Sequence, residues 1–394
     1  MQNDPIVIVG AARTPIGGLQ GDFAGLSASD LGGVAVKAAV ERAGIAPTDV
    51  DELIFGNCLL AGQGQAPARQ ASLKGGLPLS TPCTTLSKMC GSGMKAAMLA
   101  HDAIIAGSAD IVVAGGMESM SSAPFLLPKA RAGMRMGHGI VLDHMFLDGL
   151  EDAYDKGKLM GVFAEQCADE FAFTREAQDE FALRSLARAR AATDDGSFKW
   201  EIAPVTVPAR KGDIVIDRDE QPGKASPEKI PGLKAAFRTD GTVTAANSSS
   251  ISDGAAALVL MRRSLAEKKG LKPLAIILGH ATHAQEPGKF TTAPVAAIQK
   301  LLSKVGWTSE DVDLYEINEA FAVVTMAAMK AHGLPPEKVN VHGGACALGH
   351  PIGASGARIV VTLIGALRKM GKKRGVASLC IGGGEATALA IELA

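Results

Sequence analysis

Aromatic residues are scarce, at 4% of 394 positions with two tryptophans and two tyrosines. So few flat rings exclude a base-stacking platform. Net charge is close to absent: 40 Lys and Arg stand against 41 Asp and Glu, a formal charge of −1. That balance argues against nucleic acid as a partner. Long apolar runs are missing too. The stretch Ile359–Leu367 is far short of the roughly 20 residues a spanning helix needs, so no membrane span is expected. No C-x-x-C pair occurs among the cysteines at 58, 83, 90, 167, 346 and 380. A chain of this size builds a core without disulfides, so each thiol reads first as a small buried hydrophobe. The start, Met1-Gln-Asn-Asp-Pro5 running into Ile6-Val-Ile-Val9, leaves no room for a signal peptide, and Ala388–Ala394 carries no lipidation or peroxisomal tripeptide. A cytoplasmic protein is the expectation. Disorder is excluded by 47% hydrophobic residues. The one excess is 46 glycines, which predicts tight turns and close backbone approaches.

Short β-branched runs alternate with helical periodicity. Ile6–Val9, Leu53–Phe55 and Ile111–Ala114 read as strands, and Asp30–Ala43, Ala66–Lys74 and Gly93–Ala106 as helices. The alternation predicts a layered α/β fold with a mostly parallel sheet. From Ser121 to Asn247 the composition changes. Helical stretches near Gly161–Phe171 and Arg175–Ala192 precede a Pro-, Gly- and Lys-rich segment, Glu201–Lys234, that reads as irregular. The expected division is 1–120 with 248–270 as one half, 121–247 as an insertion and 271–394 as a second half.

The two halves resemble each other. Ala43-Gly44-Ile45 through Asp49-Val50-Asp51 matches Val305-Gly306-Trp307 through Asp311-Val312-Asp313. Cys90-Gly-Ser92-Gly93 and Ala109 through Gly115-Gly116 then find counterparts in Gly353-Ala-Ser355-Gly356 and Ala377 through Gly383-Gly384. The offset is 262 between residues 51 and 313, and 263 between 92 and 355. An offset kept over that length indicates duplication. Two facing halves would bring their strand-end loops together, so Cys90, Asn318, His350 and Cys380 are candidates for one shared cleft.

Cys90 stands just before a predicted helix, among glycines. Free N–H groups at a helix start favour a thiolate, which predicts a lowered pKa and a nucleophile. The alternative is a buried structural thiol. His350, between Gly349 and Pro351, belongs to a loop and could take the Cys90 proton, or merely satisfy a hydrogen bond. His342, Cys346 and His350 have metal-ligand spacing for a helix, but Gly343, Gly344, Gly349 and Pro351 oppose a continuous one, so no metal is expected. Cys380 ends a strand before Gly382-Gly383-Gly384, whose N–H groups could face a developing oxyanion. No Gly-Lys-Ser/Thr follows, so this is not a phosphate loop. Asn318 either orients a water or carbonyl, or caps a helix.

Together these segments resemble the thiolase family of acyl-CoA C-acyltransferases. The match runs through Gly10-Ala-Ala-Arg-Thr-Pro15, Cys90-Gly-Ser-Gly93, Gly115-Gly-Met-Glu-Ser119, Thr242-Val-Thr-Ala-Ala-Asn247, Asn318-Glu-Ala-Phe321, Gly349-His350-Pro351 and Cys380-Ile-Gly-Gly-Gly384. The resemblance implies two βαβαβαββ halves in α-β-α-β-α layers with an inserted loop domain. It implies reversible Claisen condensation of two acetyl-CoA to acetoacetyl-CoA and CoA, with no cofactor beyond the CoA thioesters themselves. Cys90 would carry the acetyl group. His350 would activate it, and Asn318 would position a water beside the thioester oxygen. Cys380 would move the α-proton, and the N–H groups of Cys90 and Gly382 would hold the other oxyanion. Ser249, Phe237, Phe321, Phe290, Met160 and Leu159 would line the pantetheine and acyl pocket, with Lys224 near the CoA phosphates. A homo-oligomer, dimer or tetramer, is implied as well. Ser87, Leu159, Phe290, Lys224 and Glu385-Ala386 depart from the usual family residues, and these bear on acyl-chain preference. Two competing readings are degradation of longer 3-ketoacyl-CoA chains and a non-catalytic acyl-CoA-binding scaffold.

Overall fold

The computed structural model describes residues 4–394. The first half runs β1 (Ile6–Arg13), α1 (Ala28–Ala43), β2 (Glu52–Gly56), α2 (Pro67–Lys74), β3 (Cys83–Leu86), α3 (Ser92–Ala106) and β4 (Ile111–Ser119). A long excursion follows, containing α4 (Met160–Phe171) and α5 (Arg175–Asp194), before β5 (Ser252–Arg262). The second half runs β6 (Ala275–Ala284), α6 (Ala293–Val305), β7 (Leu314–Ile317), α7 (Ala322–His332), α8 (Ile352–Met370), β8 (Arg374–Ile381) and β9 (Glu385–Leu393).

The sheet order is β7-β8-β9-β6-β1-β5-β4-β2-β3. Each half repeats one pattern. A parallel pair (β2 with β4, β7 with β8) is followed by antiparallel neighbours (β4-β5-β1, β8-β9-β6). The halves join where Val7 and Ile8 of β1 meet Ile276 and Ala275 of β6. The expectation of a mostly parallel sheet is therefore corrected. Crossover helices enforce parallel pairing only among β2, β3 and β4 and between β7 and β8, whereas β5 returns from the excursion antiparallel between β1 and β4.

Helices α1 and α2 cover one outer face and α6 packs on the other, with α3 and α8 in the central layer. Residues Ile352–Leu367 of α8 are all buried. A helix apolar on every side belongs in such an interior position. Among the described residues no helix is long and apolar enough to cross a membrane.

The repeated sequence markers have repeated jobs. Gly44 and Gly306 end α1 and α6 in the left-handed region, at φ 71° in both. The Asp51 carboxylate accepts from the N–H groups of Asp110 and Ile111, and Asp313 accepts likewise from Lys373 and Arg374. The counterpart of β3 is reduced to a single bridge between Tyr315 and Val339. There Asn340 turns to φ 48°. Its amide accepts from the Ile317 N–H and donates to the Ile317 carbonyl, both at 2.8 Å, replacing the missing ladder.

The segment between β4 and β5 is anchored through a buried arginine. Arg13 reaches Glu201 at 2.6 Å and Asp219 at 2.7 and 2.9 Å, all with fully buried side chains on the two ion pairs. The stretch 201–234, expected to be irregular, holds a small hairpin of Val205–Val207 with Ile214–Ile216 and two short helical turns.

Glycines let the two central helices touch at their starts. A Cβ on Gly356 would lie 2.4 Å from the Met94 backbone nitrogen, and one on Gly93 would lie 2.7 Å from that of Ala357. Gly356→Ala should therefore lower stability by about 1–3 kcal/mol despite alanine's better helix propensity. Urea denaturation measures this, and an unchanged midpoint would mean the helices part freely.

Candidate functional site

Three loops meet at the starts of α3 and α8 and the end of β8. Cys90 lies in the turn before α3, where Met89 adopts φ 44°. That left-handed conformation costs a non-glycine residue roughly 1–2 kcal/mol. The turn is fixed by Ser92, whose hydroxyl donates to the Met89 carbonyl (2.7 Å) and accepts from the Lys88 N–H (2.8 Å). Gly91 leaves room for Ile381 at the end of β8, which would stand 2.4 Å from a Cβ there.

His350 precedes α8. Gly349 takes φ 109°, with the Ser252 hydroxyl 2.2 Å from where a Cβ would be, so only glycine fits. The His350 N–H is held by the Ser250 carbonyl (3.1 Å) and the Ser252 hydroxyl (3.2 Å). Its Nδ1 lies 2.5 Å from the Ser355 hydroxyl, which itself donates to the Pro351 carbonyl at 2.9 Å. With the single hydroxyl proton of Ser355 given to Pro351, Nδ1 is assigned as the protonated ring nitrogen. Nε2, which has no partner in the protein, is left with its lone pair.

Cys380 ends β8. Gly383 and Gly384 turn the chain at φ 93° and 85°. The backbone N–H groups of Gly382 and of Cys90 itself point to the Cys90 sulfur. Lys88, next to the Cys90 turn, pairs with Glu385 beyond the Cys380 loop, tying the two loops together.

Cys90, His350, Cys380 and Gly382 share one cavity of about 380 Å³ with Leu159, Met160, Phe237, Ser249, Phe290 and Phe321. Phe237 meets Phe321 edge-on (6.0 Å, 79°), and Phe290 meets Phe163 (6.3 Å, 74°). Ser249 is fixed by its N–H and hydroxyl, each 3.0 Å from the Ala320 carbonyl. Two expected residues stand apart. Asn318 is buried but is not in the cavity wall, and neither amide atom has a partner in the protein. It caps no helix, since α7 begins at Ala322 after Phe321. Lys224 borders a neighbouring cavity of about 320 Å³ and pairs with Glu220. His342 packs edge-on against Phe198 at 5.9 Å, while the Cys346 thiol faces the Glu319 carbonyl at 3.7 Å. Those two and His350 do not converge, because the helix among them is a single turn, Ala345–Leu348.

Burial dominates the electrostatics. It pushes the Cys90 thiol up to about 11, against the pull of the Gly382 and Cys90 N–H groups. It drives His350 down to about 3, with the Arg358 charge adding to the effect. Cys380 rises well above the ordinary thiol value through burial and then through its neighbour Cys90. The expected lowering of the Cys90 pKa by a helix start is thus corrected: desolvation of a thiolate outweighs a few N–H dipoles.

The roles of three residues escaped the sequence reading. Ser355 sits five residues beyond His350 and sets its tautomer. Glu118, fully buried, accepts from the N–H groups of Cys58, Leu59 and Gly353, pinning the start of α8 to the loop after β2. Glu385 closes the link to Lys88. The repeat of Ser92 and Ser355 was the visible signal for the first.

The fold and this paired-thiol site define an acyl-transfer protein of the thiolase type. The family pattern "Thiolase, N-terminal domain" matches residues 6–264 and "Thiolase, C-terminal domain" matches 271–393, and the chain belongs to the thiolase family. It is 52% identical over 396 residues to Acetyl-CoA acetyltransferase 1 of Arabidopsis thaliana, covering 100% of this chain and 95% of that one. It is 52% identical to the Acetyl-CoA acetyltransferase of Chromobacterium violaceum, covering 98% and 99%. The crystal structure of the Bacillus anthracis acetyl-CoA acetyltransferase superposes with a TM-score of 0.96 at 43% identity, covering 99% of each chain. Acat5 thiolase from Ascaris suum, in complex with coenzyme A, superposes at 0.94 with 44% identity, covering 99% and 100%.

With its pKa at about 11, the Cys90 thiolate fraction should rise about tenfold per pH unit from pH 7 to 10. Iodoacetamide alkylation of Cys90, followed by mass spectrometry, should track that rise. A plateau by pH 8 would instead reveal a preformed thiolate–imidazolium pair.

Proposed function

We propose that the protein is an acetyl-CoA C-acetyltransferase, joining two acetyl-CoA into acetoacetyl-CoA and CoA through an acetyl-cysteine. The observation that carries this is the pairing of two thiols with an unprotonated imidazole nitrogen in one cavity. The Cys90 proton passes to His350 Nε2 as the sulfur attacks the acetyl carbonyl. The carbon–sulfur bond to CoA breaks, and the leaving CoA sulfur takes the proton of Cys380. A thiol whose pKa is raised by burial keeps that proton until such a charge arrives, and the resulting thiolate is a strong base. Cys380 then removes an α-proton from the second acetyl-CoA. The enolate attacks the acetyl carbon, a carbon–carbon bond forms, and Cys90 departs and recovers its proton from His350. Protons balance over the cycle.

The Gly382 and Cys90 N–H groups face one developing oxyanion. His350, with a water placed by the unpaired Asn318 amide, faces the other. Neither a metal nor an organic cofactor enters, and CoA thioesters serve as substrates. Residues 1–120 with 248–270, and 271–394, act as the two halves, with 121–247 closing the pocket. Leu159, Met160, Phe237, Ser249, Phe290 and Phe321 contact the pantetheine and acyl chain, while Lys224 lies toward the CoA phosphates. The protein works as a cytoplasmic homo-oligomer, dimer or tetramer. Supporting self-association, Phe125, Met136 and Ile140 of one loop are 68%, 97% and 71% exposed.

Mixing with acetyl-CoA should add one acetyl group to Cys90, detected by peptide mass spectrometry and absent in Cys90→Ala. An unmodified Cys90 alongside tight CoA binding would indicate a scaffold. Phe290 and Phe321 fill the wall beside the thiols, which favours short chains. Accordingly kcat/KM for acetoacetyl-CoA should exceed that for a C8 or C10 3-ketoacyl-CoA by tenfold or more, since each extra methylene in a filled pocket costs about 1 kcal/mol or more. The reverse preference would assign the enzyme to degradation of longer chains.

A further inference from the structure

We propose that His101, Asp102 and His280 form a site for one divalent transition-metal ion of the zinc type, bridging the two halves of the fold. His101 and Asp102 lie on α3 of the first half, and His280 lies on β6 of the second. None of the three lines the thiol cavity. At 1.5 Å per residue, His101 is about 16 Å along the chain axis from Cys90.

The geometry is that of a ligand face. Asp102 Oδ1 is 3.1 Å from His101 Nδ1 and 2.9 Å from His280 Nε2. All three ligand atoms fall within 4.8 Å of one another. The rings stand edge to face, 5.1 Å apart at 88°. Consecutive helix residues ordinarily diverge by about 100°, so the convergence of His101 and Asp102 on a residue from the other half is a specific arrangement. His280 follows the irregularity in β6 between Ile277 and Gly279, the kind of bulge that re-aims a side chain.

A tetrahedral zinc site with bonds near 2.0–2.1 Å spaces its ligand atoms about 3.3 Å apart. The two edges at Asp102 Oδ1 fall short of that spacing by a few tenths of an ångström, and the third edge lies within 4.8 Å. Two imidazoles and one carboxylate suit zinc, copper or nickel, and not calcium or magnesium. The histidine side chains are 18% and 12% exposed and therefore constrained, whereas Asp102 is 52% exposed and leaves an entry path and a fourth position for water. His280 presents Nε2 on the side of Asp102. The cation facing it, Lys304, donates to the His280 backbone carbonyl at 3.1 Å and leaves the ring nitrogen to Asp102. The ion takes no part in acyl transfer. It clips α3 to β6, so its signature is stability.

The test is equilibrium dialysis of the chelator-treated full-length enzyme against Zn²⁺, with thermal denaturation and the visible spectrum of the Co²⁺ form. Expected are about one ion per chain, a chelator-reversible rise in Tm, and a tetrahedral Co²⁺ absorption without a thiolate charge-transfer band. His280→Gln and Asp102→Asn should each weaken binding at least tenfold with acyl transfer retained, and Cys90→Ala should leave it unchanged. Should His280→Gln fail to fold, Asp102→Asn at its half-exposed position decides alone. Absence of chelatable zinc, or zinc lost in Cys90→Ala but kept in Asp102→Asn, would overturn the proposal, the latter placing the ion on the catalytic thiol.

Discussion

The closeness of two helix starts governs the rest of the molecule. Gly116 lies so near the start of α8 that a Cβ on it would fall 2.0 Å from the Gly353 carbonyl. A Cβ on Gly353 would in turn sit 2.7 Å from the Met117 carbonyl. Backbone rather than side chain therefore fills the seam between the halves, and side chains of any size would push them apart. Cys90 and His350 stand just before the first turns of the two central helices. Their meeting in one cavity is the direct product of that seam, and the duplication supplies the symmetry that makes it possible.

The same burial that assembles the site sets its resting chemistry. Taking a thiol and an imidazole out of water penalises every charged form, so the sulfur keeps its proton and the ring declines one. Reactivity then waits for a substrate whose developing charge meets N–H groups already in place, which is electrostatic preorganisation in its ordinary sense. Ser355 makes this work with one hydroxyl. By donating to Pro351 it forces Nδ1 of His350 to donate in return, and the lone pair faces the cavity.

Much of this was legible in the chain. Strand and helix periodicity located the elements, and the offset repeats revealed two halves and the loops that meet. What escaped reading arises from contacts distant in sequence. A helix start beside Cys90 suggested an acidic thiol, because the local string holds the dipoles but not the desolvation. Asn318 read equally as a cap or a water-holder, and the start of α7 at Ala322 removes only the cap. Lys224 was placed by resemblance near the CoA phosphates, and nothing local showed that Glu220, on the same helical turn, pairs with it. Glu118 and Glu385 bear no local mark of what they hold. The alternation of strands and helices also overstated parallel pairing, since nothing local says that β5 re-enters between two strands already laid down.

Arg13 carries a consequence for how substrates are chosen. Its guanidinium is gripped by Glu201 and Asp219 without access to water, and losing one partner from such a buried set costs on the order of 3–5 kcal/mol. The excursion is accordingly moored to the first strand at Glu201 and Asp219. The cavity side chains that this excursion supplies, Leu159, Met160 and Phe237 among them, hang from that moored frame. Exchanging those residues would retune the acyl preference while leaving the scaffold and its chemistry untouched.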